Sequence, residues 1–207
     1  MDIFSVTNVN FKNILKYSNI KIKENKTTFL SGKSGTGKST LLKILNASVP
    51  TGSGTVLYYG KPIEKHNTIM LRKEVMLASQ NVFLFDDTIQ NNFLEYYRYR
   101  ETTPPGIKKM QEFLHICVAD FPLDAKCSQL SGGERQRVFI AICLSFMPRA
   151  LMLDEPTSAL DGHTANELIK NLKNYCKENS ITLIVVCHDK NLVELYADEV
   201  TNLNSEV

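Results

Sequence analysis

Residues 32–40 read GKSGTGKST, between the apolar run KTTFL at 26–30 and the leucine-rich stretch STLLKILNA at 39–47. Gly32, Gly37, Lys38 and Ser39 match G-x-x-x-x-G-K-[ST] in the strand-then-helix context that the pattern requires. Glycines there let backbone N–H groups turn inward around phosphate oxygens, and the helix N-terminus adds a favourable dipole. Lys38 supplies a point charge for the β- and γ-phosphates, and Ser39 a hydroxyl for Mg²⁺. The expected nucleotide-binding loop is therefore Gly32, Lys33, Ser34, Gly35, Thr36, Gly37, Lys38, Ser39 and Thr40.

Outward from this loop the chain alternates strands and helices. FSVTNVNF and NIKI read as early strands, and GTVLYYG at 54–60 and EVMLAS at 74–79 as later ones. From Thr88 to about Cys117 the pattern is helical, broken by TTPPG at 102–106, and it is helical again from Gly132 to Phe146. RALMLDEP at 149–156 reads as a buried strand stopped by Pro156, and residues 161–178 as an amphipathic helix. ITLIVVC at 181–187 reads as a core strand and EVTNL as a last edge strand. Such alternation predicts an α/β fold with a mostly parallel sheet.

LMLDEP places Asp154 and Glu155 at the C-terminal end of a parallel strand, the end where ligands bind in α/β sheets. Asp154 is placed to hold Mg²⁺, and Glu155 to orient or deprotonate a water facing the γ-phosphate. Two solvated acids at a strand end are the plainer alternative.

A second glycine-rich helix start, LSGGERQR at 130–137, lies far downstream of the first and is not explained by it. Ser131, Gly132 and Gly133 present a hydroxyl and free amides at a helix N-terminus, a ready anion site. Ser131-x-x-Glu134 is equally a capping box for its own helix. The ordered motifs GKSGTGKS, Gln80 in LASQNVFLF, LSGGERQ, LMLDEP, Ser158-Ala159-Leu160-Asp161 and His188 in VVCHDKN resemble the nucleotide-binding domain of an ABC ATPase over nearly the whole chain. That resemblance implies a P-loop NTPase-like fold with an antiparallel β part at the N-terminus and an inserted helical subdomain. It implies one domain over 1–207, with a core at about 1–81 and 131–207 and the helical part at about 82–130. It also implies a homodimer on Mg-ATP, in which Ser131, Gly132 and Gly133 of one copy cap the γ-phosphate held by the other. By the same resemblance Gln80 contacts Mg²⁺ or the attacking water, and His188 contacts the γ-phosphate. The catalytic set is then Glu155, His188, Gln80 and Lys38, with Ser39, Gln80 and Asp154 at the metal. Asp161 resembles a residue that crosses the dimer, and is as readily a helix N-cap.

Composition limits the alternatives. With 24 basic and 22 acidic residues, the net charge of +2 gives no electrostatic argument for nucleic acid. Five scattered cysteines without metal-ligand spacing point to reduced thiols. The N-terminus MDIFSVTN carries no signal-peptide pattern, and the apolar run VFIAICLSFM at 138–147 is half a bilayer span. A soluble chain is expected, peripheral at the cytoplasmic face of the membrane through a separate permease subunit that itself binds the transported substrate. The chain ends just after the last expected strand, so no regulatory domain is expected, and a single phosphate loop excludes tandem ATPase translation factors. The resemblance extends to subunits paired with a small permease, including a group linked to metal-ion export. A non-transport ABC ATPase acting as an assembly or regulatory module is the alternative, as is a binding protein without turnover.

Two features depart from the resemblance. Asn13 occupies the place where an aromatic ring usually stacks on adenine, and DAKCSQ at 124–129 lacks the glycine-containing acidic motif of many fused exporters. The aromatic stretch after Gln80 is expected to dock the permease through Phe83, Phe85, Tyr96, Tyr97 and Tyr99, with at least two of these rings packed inside.

Overall fold

Two sheets carry the fold in the computed structural model, which describes residues 1–203. Strands β1 (Asp2–Phe11), β2 (Leu15–Lys23), β4 (Ser53–Tyr58) and the short β5 (Lys61–Pro62) form an antiparallel sheet in the order β2-β1-β4-β5. Strands β6 (Val75–Ala78), β7 (Ala150–Asp154), β8 (Thr182–Val186), β3 (Thr27–Ser31) and β9 (Glu199–Asn202) form a parallel sheet in the order β6-β7-β8-β3-β9. The parallel sheet and the antiparallel N-terminal part are those expected from sequence and resemblance. EVTNL does form the edge strand β9 beside β3.

The parallel strands are apolar on both faces, as a doubly covered sheet requires. Phe29, Leu151, Leu153, Leu183 and Val185 pack with residues of α3 (Ile89–Tyr99), α4 (Ile107–Ile116), α5 (Gly132–Ser145) and α6 (Gly162–Glu178). Their neighbours Leu30, Ala150, Met152, Ile184 and Val186 face α1 (Lys38–Leu45) and the antiparallel sheet. Helix α5 is buried on several sides, from Val138 through Leu144 with only Phe139 partly open. That explains its uninterrupted apolar sequence.

The antiparallel sheet contains a slip in phase. Val6 pairs with Ile20 and Val9 with Tyr17, and all four side chains are buried although each pair on a strand is three residues apart. Strict alternation would put one member of each pair outside. Asn8, in the left-handed region at φ 49, sits between Val6 and Val9 and resets the alternation. The slip turns Tyr17 inward.

Two short helices, α2 (Thr68–Glu74) and α7 (Lys190–Tyr196), lie outside the sequence reading. Each has seven residues, too few to display a helical period, and is started by an Asx cap, Asn67 and Asp189 respectively. EVMLAS narrows to Val75–Ala78 because Glu74 ends α2.

One buried side chain makes several of the contacts that hold the segment between Gln80 and α3. Asn92, fully buried, accepts from the Phe85 N–H at 2.8 Å. Its amide donates to the carbonyls of Phe85 at 3.2 Å and Thr88 at 2.9 Å. Asn92→Ala leaves the Phe85 N–H without its acceptor, while the Phe85 and Thr88 carbonyls keep the Asp87 and Asn92 backbone amides, so a loss of about 1–3 kcal/mol is expected. Urea unfolding measures it as a lower midpoint at constant slope. An unchanged midpoint would show that Phe85 finds other partners.

Candidate functional site

The loop between β3 and α1 wraps its own lysine. Lys38, 5% exposed, donates from Nζ to the carbonyls of Gly32 and Lys33, each at 2.9 Å. Gly37 caps α1 with φ 87 and makes no side-chain cap bond, so the first amides of α1 are left for an external acceptor. Only glycine takes that backbone conformation freely.

The sheet order places β8 between β7 and β3, so the C-terminal ends of three parallel strands meet here. Ser39 Oγ donates to Asp154 Oδ1 at 2.8 Å, joining the loop to the end of β7 across 115 residues. Asp154 is buried, and burial raises its carboxyl above the ordinary aspartate range; the Ser39 hydrogen bond opposes this and the Glu155 charge adds to it.

Glu155 is the centre of the polar cluster. Its Oε1 lies 3.2 Å from His188 Nε2, and its Oε2 accepts from Gln80 Nε2 at 3.4 Å. Gln80, Glu155 and His188 come from three loops, at the ends of β6, β7 and β8. The Glu155 backbone has φ 52, a left-handed conformation that costs a non-glycine residue of order 1 kcal/mol or more. Its N–H donates to the Val186 carbonyl at 3.1 Å, and its carbonyl accepts from Ser158 Oγ at 3.1 Å. Gln136 of α5, itself buried, reaches the same carbonyl at 3.5 Å. A cavity of about 290 Å³ opens beside this carboxylate, lined also by Thr157, Cys187 and His188.

The second glycine-rich helix start lies apart. Ser131 and Glu134 form a full capping box: the Ser131 N–H donates to Glu134 Oε2 at 2.7 Å and the Glu134 N–H to Ser131 Oγ at 3.4 Å. Ser131 and Gly132 are exposed, and no hydrogen bond among the described residues joins them to residues 32–40. Gly133 is packed against the next loop, where an added Cβ would come 3.2 Å from Leu160 and 3.4 Å from the Ala159 carbonyl. Asp161 caps α6, accepting from the His163 and Thr164 amides at 3.0 Å each.

The structure thus brings Lys38, Ser39, Asp154, Glu155, Gln80 and His188 to one edge of the parallel sheet. It leaves Ser131, Gly132 and Gly133 outside that hydrogen-bonded cluster. Asn13 sits in the exposed β1–β2 turn at φ 57, accepting from Asn10, while Phe11 packs on the antiparallel core. All five cysteines are free and buried. Sequence reasoning missed two contacts of the site, Gln136 on the Glu155 carbonyl and Tyr17 on the Gly37 carbonyl. Nothing in local spacing signals either one.

Comparison with known proteins agrees with this geometry. The family model described as "ABC transporter" matches residues 15–158. The chain is 34% identical over 193 residues to "Probable iron export ATP-binding protein FetA" of Escherichia coli (strain K12), covering 92% of this chain and 84% of that protein. It is 35% identical to "Phosphate import ATP-binding protein PstB" of Saccharolobus solfataricus, covering 98% of this chain and 84% of that one. Among solved structures, cbiO1 of Clostridium perfringens, part of the ABC transporter complex cbiONQ, superposes with a TM-score of 0.82 at 29% identity, covering 98% of this chain and 85% of that chain. The chain belongs to the ABC transporter family, as an ATP-binding domain with ATPase activity. ATPase domains of this family work with a membrane permease subunit. No described helix of this chain is long and apolar enough to cross a membrane. One relative is named for export and another for import, so the likeness assigns a family and not a direction.

Because the folded pKa of Asp154 is raised above its unfolded value, the protein is stabilised while that carboxyl is protonated and loses this contribution as pH rises through the folded pKa. Above the folded pKa the cost of the buried charge is present. Asp154→Asn removes the charge and keeps an acceptor for Ser39, so the nucleotide-free variant is expected to melt above the wild type at pH 7. The gap should narrow toward the ordinary aspartate pKa of about 3.9. Scanning calorimetry at several pH values checks both signs.

Proposed function

We propose that two copies of this chain close head to tail on two Mg-ATP and reopen on hydrolysis, driving a separate membrane permease. The observation that carries this is the Glu155 carboxylate, held between Gln80 and His188 one residue after the buried Asp154. Residues 32–40 cradle the phosphates through backbone amides, with Lys38 turning from its loop carbonyls to the β- and γ-phosphates. Ser39 and Asp154 offer hard oxygens of the kind that suit Mg²⁺, and Gln80 a neutral one. The ion, when bound, neutralises charge developing on the phosphates. Glu155 accepts the proton of the attacking water, and His188 steadies that carboxylate and faces the γ-phosphate. Ser131, Gly132 and Gly133 complete the site of the opposite copy. Ser131 and Gly132 are exposed in a single chain, which is consistent with that use.

The chain is read as one ATPase domain, with residues 82–130 as its helical part. The same reading sets the chain at the cytoplasmic face of the membrane, with cargo bound by the permease. The permease docks beside Gln80 on a patch of stacked rings. Phe85 lies 5.0 Å from Phe83 edge-on, 6.0 Å from Tyr99 in a stack and 5.9 Å from Tyr96. Phe83 and Tyr99 are 63% and 68% exposed, far more than rings without a partner need be. Tyr97 falls out of the patch, since it stacks on Phe146 and donates to the Ser145 carbonyl in the core. Phe85 and Tyr96 are half-buried supports for the two outer rings.

Glu155→Gln is expected to keep ATP binding and lower turnover by about 10²- to 10⁴-fold. With ATP the variant should accumulate as a dimer on size exclusion. Turnover near wild type would sink the assignment of Glu155, and a monomer saturated with ATP would sink the dimer.

Replacing Phe83 and Tyr99 together by alanine should leave ATP hydrolysis by the isolated chain within about twofold, since neither ring touches the polar cluster. Co-purification with the membrane partner should be lost. Full retention of the partner would place docking elsewhere.

A further inference from the structure

The phase slip in the antiparallel sheet delivers one side chain to the underside of the phosphate loop. Tyr17 of β2, 2% exposed, donates its hydroxyl hydrogen to the Gly37 carbonyl at 2.8 Å. We propose that Tyr17 is a positioning residue for nucleotide binding, fixing the Gly37–Lys38 peptide so that the Lys38 N–H stays turned toward the bound phosphates.

The peptide's own geometry carries the step. The described chain has no cis bonds, and in a trans peptide the C=O of one residue and the N–H of the next point in opposite directions. Whatever holds the Gly37 carbonyl therefore aims the Lys38 amide. That amide is the first of α1 and has no partner within the helix. Gly37 is the weak point, because a glycine at φ 87 with no side-chain cap rotates more freely than any other residue. Two donors restrain it: the Leu41 N–H from within α1, also at 2.8 Å, and Tyr17 from the other sheet.

The packing is close. A Cβ on Gly37 would lie 2.5 Å from the Tyr17 hydroxyl oxygen and 2.7 Å from Leu15 Cδ1, so β2 presses directly on the loop. Burial pushes the Tyr17 hydroxyl up to about 12, against a smaller opposing effect of the Thr40 side chain. The hydroxyl therefore stays protonated, and stays a donor, throughout the physiological range. Leu41 still satisfies the Gly37 carbonyl if the hydroxyl is removed, so Tyr17→Phe tests orientation with little loss of fold.

The inference rests on ATP being held by residues 32–40, and Lys38→Ala tests that separately. If Lys38→Ala binds ATP like the wild type, the loop assignment itself fails. With that control in place, Tyr17→Phe should raise the KM for ATP by about 2- to 10-fold, the range of one hydrogen bond. Its kcat should fall by less. The inhibition constant of inorganic tripolyphosphate should rise by the same factor as the KM, because the defect lies under the phosphates and not under the base. The melting temperature of the nucleotide-free protein should stay close to that of the wild type. The proposal is overturned by an unchanged tripolyphosphate constant, by a loss confined to kcat, or by a lowered melting temperature with intact affinities.

Discussion

The hydrogen bond from Ser39 to Asp154 is the contact on which the site depends. It joins the start of α1 to the end of β7, and it can form only because the parallel register brings the ends of β3, β8 and β7 level. Thr28 pairs with Ile184, Met152 pairs with the same Ile184, and Asp154 pairs with Val186. A slip of one residue on β7 would exchange Asp154 for Leu153 at the loop and turn its apolar face over. Both faces of that strand are buried, so the register is fixed by two cores at once. The polar cluster thus takes its precision from apolar packing that never touches it.

The same constraint explains the local strain. Asp154 ends the strand inside the core, and Glu155 follows in a left-handed turn instead of running on toward solvent. Its carbonyl points back to Ser158 and Gln136, while its carboxylate meets His188 and Gln80. Four partners on one residue over-determine its conformation, the condition under which an unfavourable backbone geometry persists. Mobility at this residue would blur the one carboxylate placed to reach an attacking water on the proposed mechanism.

How far the chain could be read without coordinates follows from the range of each interaction. The position of the glycine loop at residues 32–40, of Asp154 and Glu155, and of the strands beneath them was legible because the signals are local: glycines at a turn, acids at a strand end. Gln80 and His188 were legible only through resemblance, since a lone glutamine and a lone histidine carry no signal of their own. Helices α2 and α7 were missed because seven residues do not show a period. Tyr17 was out of reach for another reason. Its inward turn depends on the left-handed Asn8, on the neighbouring strand, and alternation read along β2 alone predicts the wrong face. Tyr97, named with the docking rings, is likewise claimed by Phe146, which is 49 residues distant in sequence and so invisible to helical spacing.

The two glycine-rich helix starts now separate on physical grounds. Helix α1 begins at a glycine without a side-chain cap, so its amides are open to a ligand. Helix α5 begins at a serine that closes its own box with Glu134. The hydrogen bonds of Glu134 to Ser131 hold its carboxyl below the usual range, so a negative charge stays at that helix start. An anion there meets repulsion that α1 does not offer, which makes α5 a poor phosphate site by itself. The box engages Ser131 on both sides: its oxygen accepts from the Glu134 N–H, and its side chain also hydrogen-bonds the Glu134 carboxylate. On the proposed dimer reading, α5 therefore adds the amides of two glycines, and a hydroxyl that must first leave Glu134, to a phosphate already neutralised elsewhere. On that reading the second helix start does not compete for ATP with the first and completes a site that another chain has already filled.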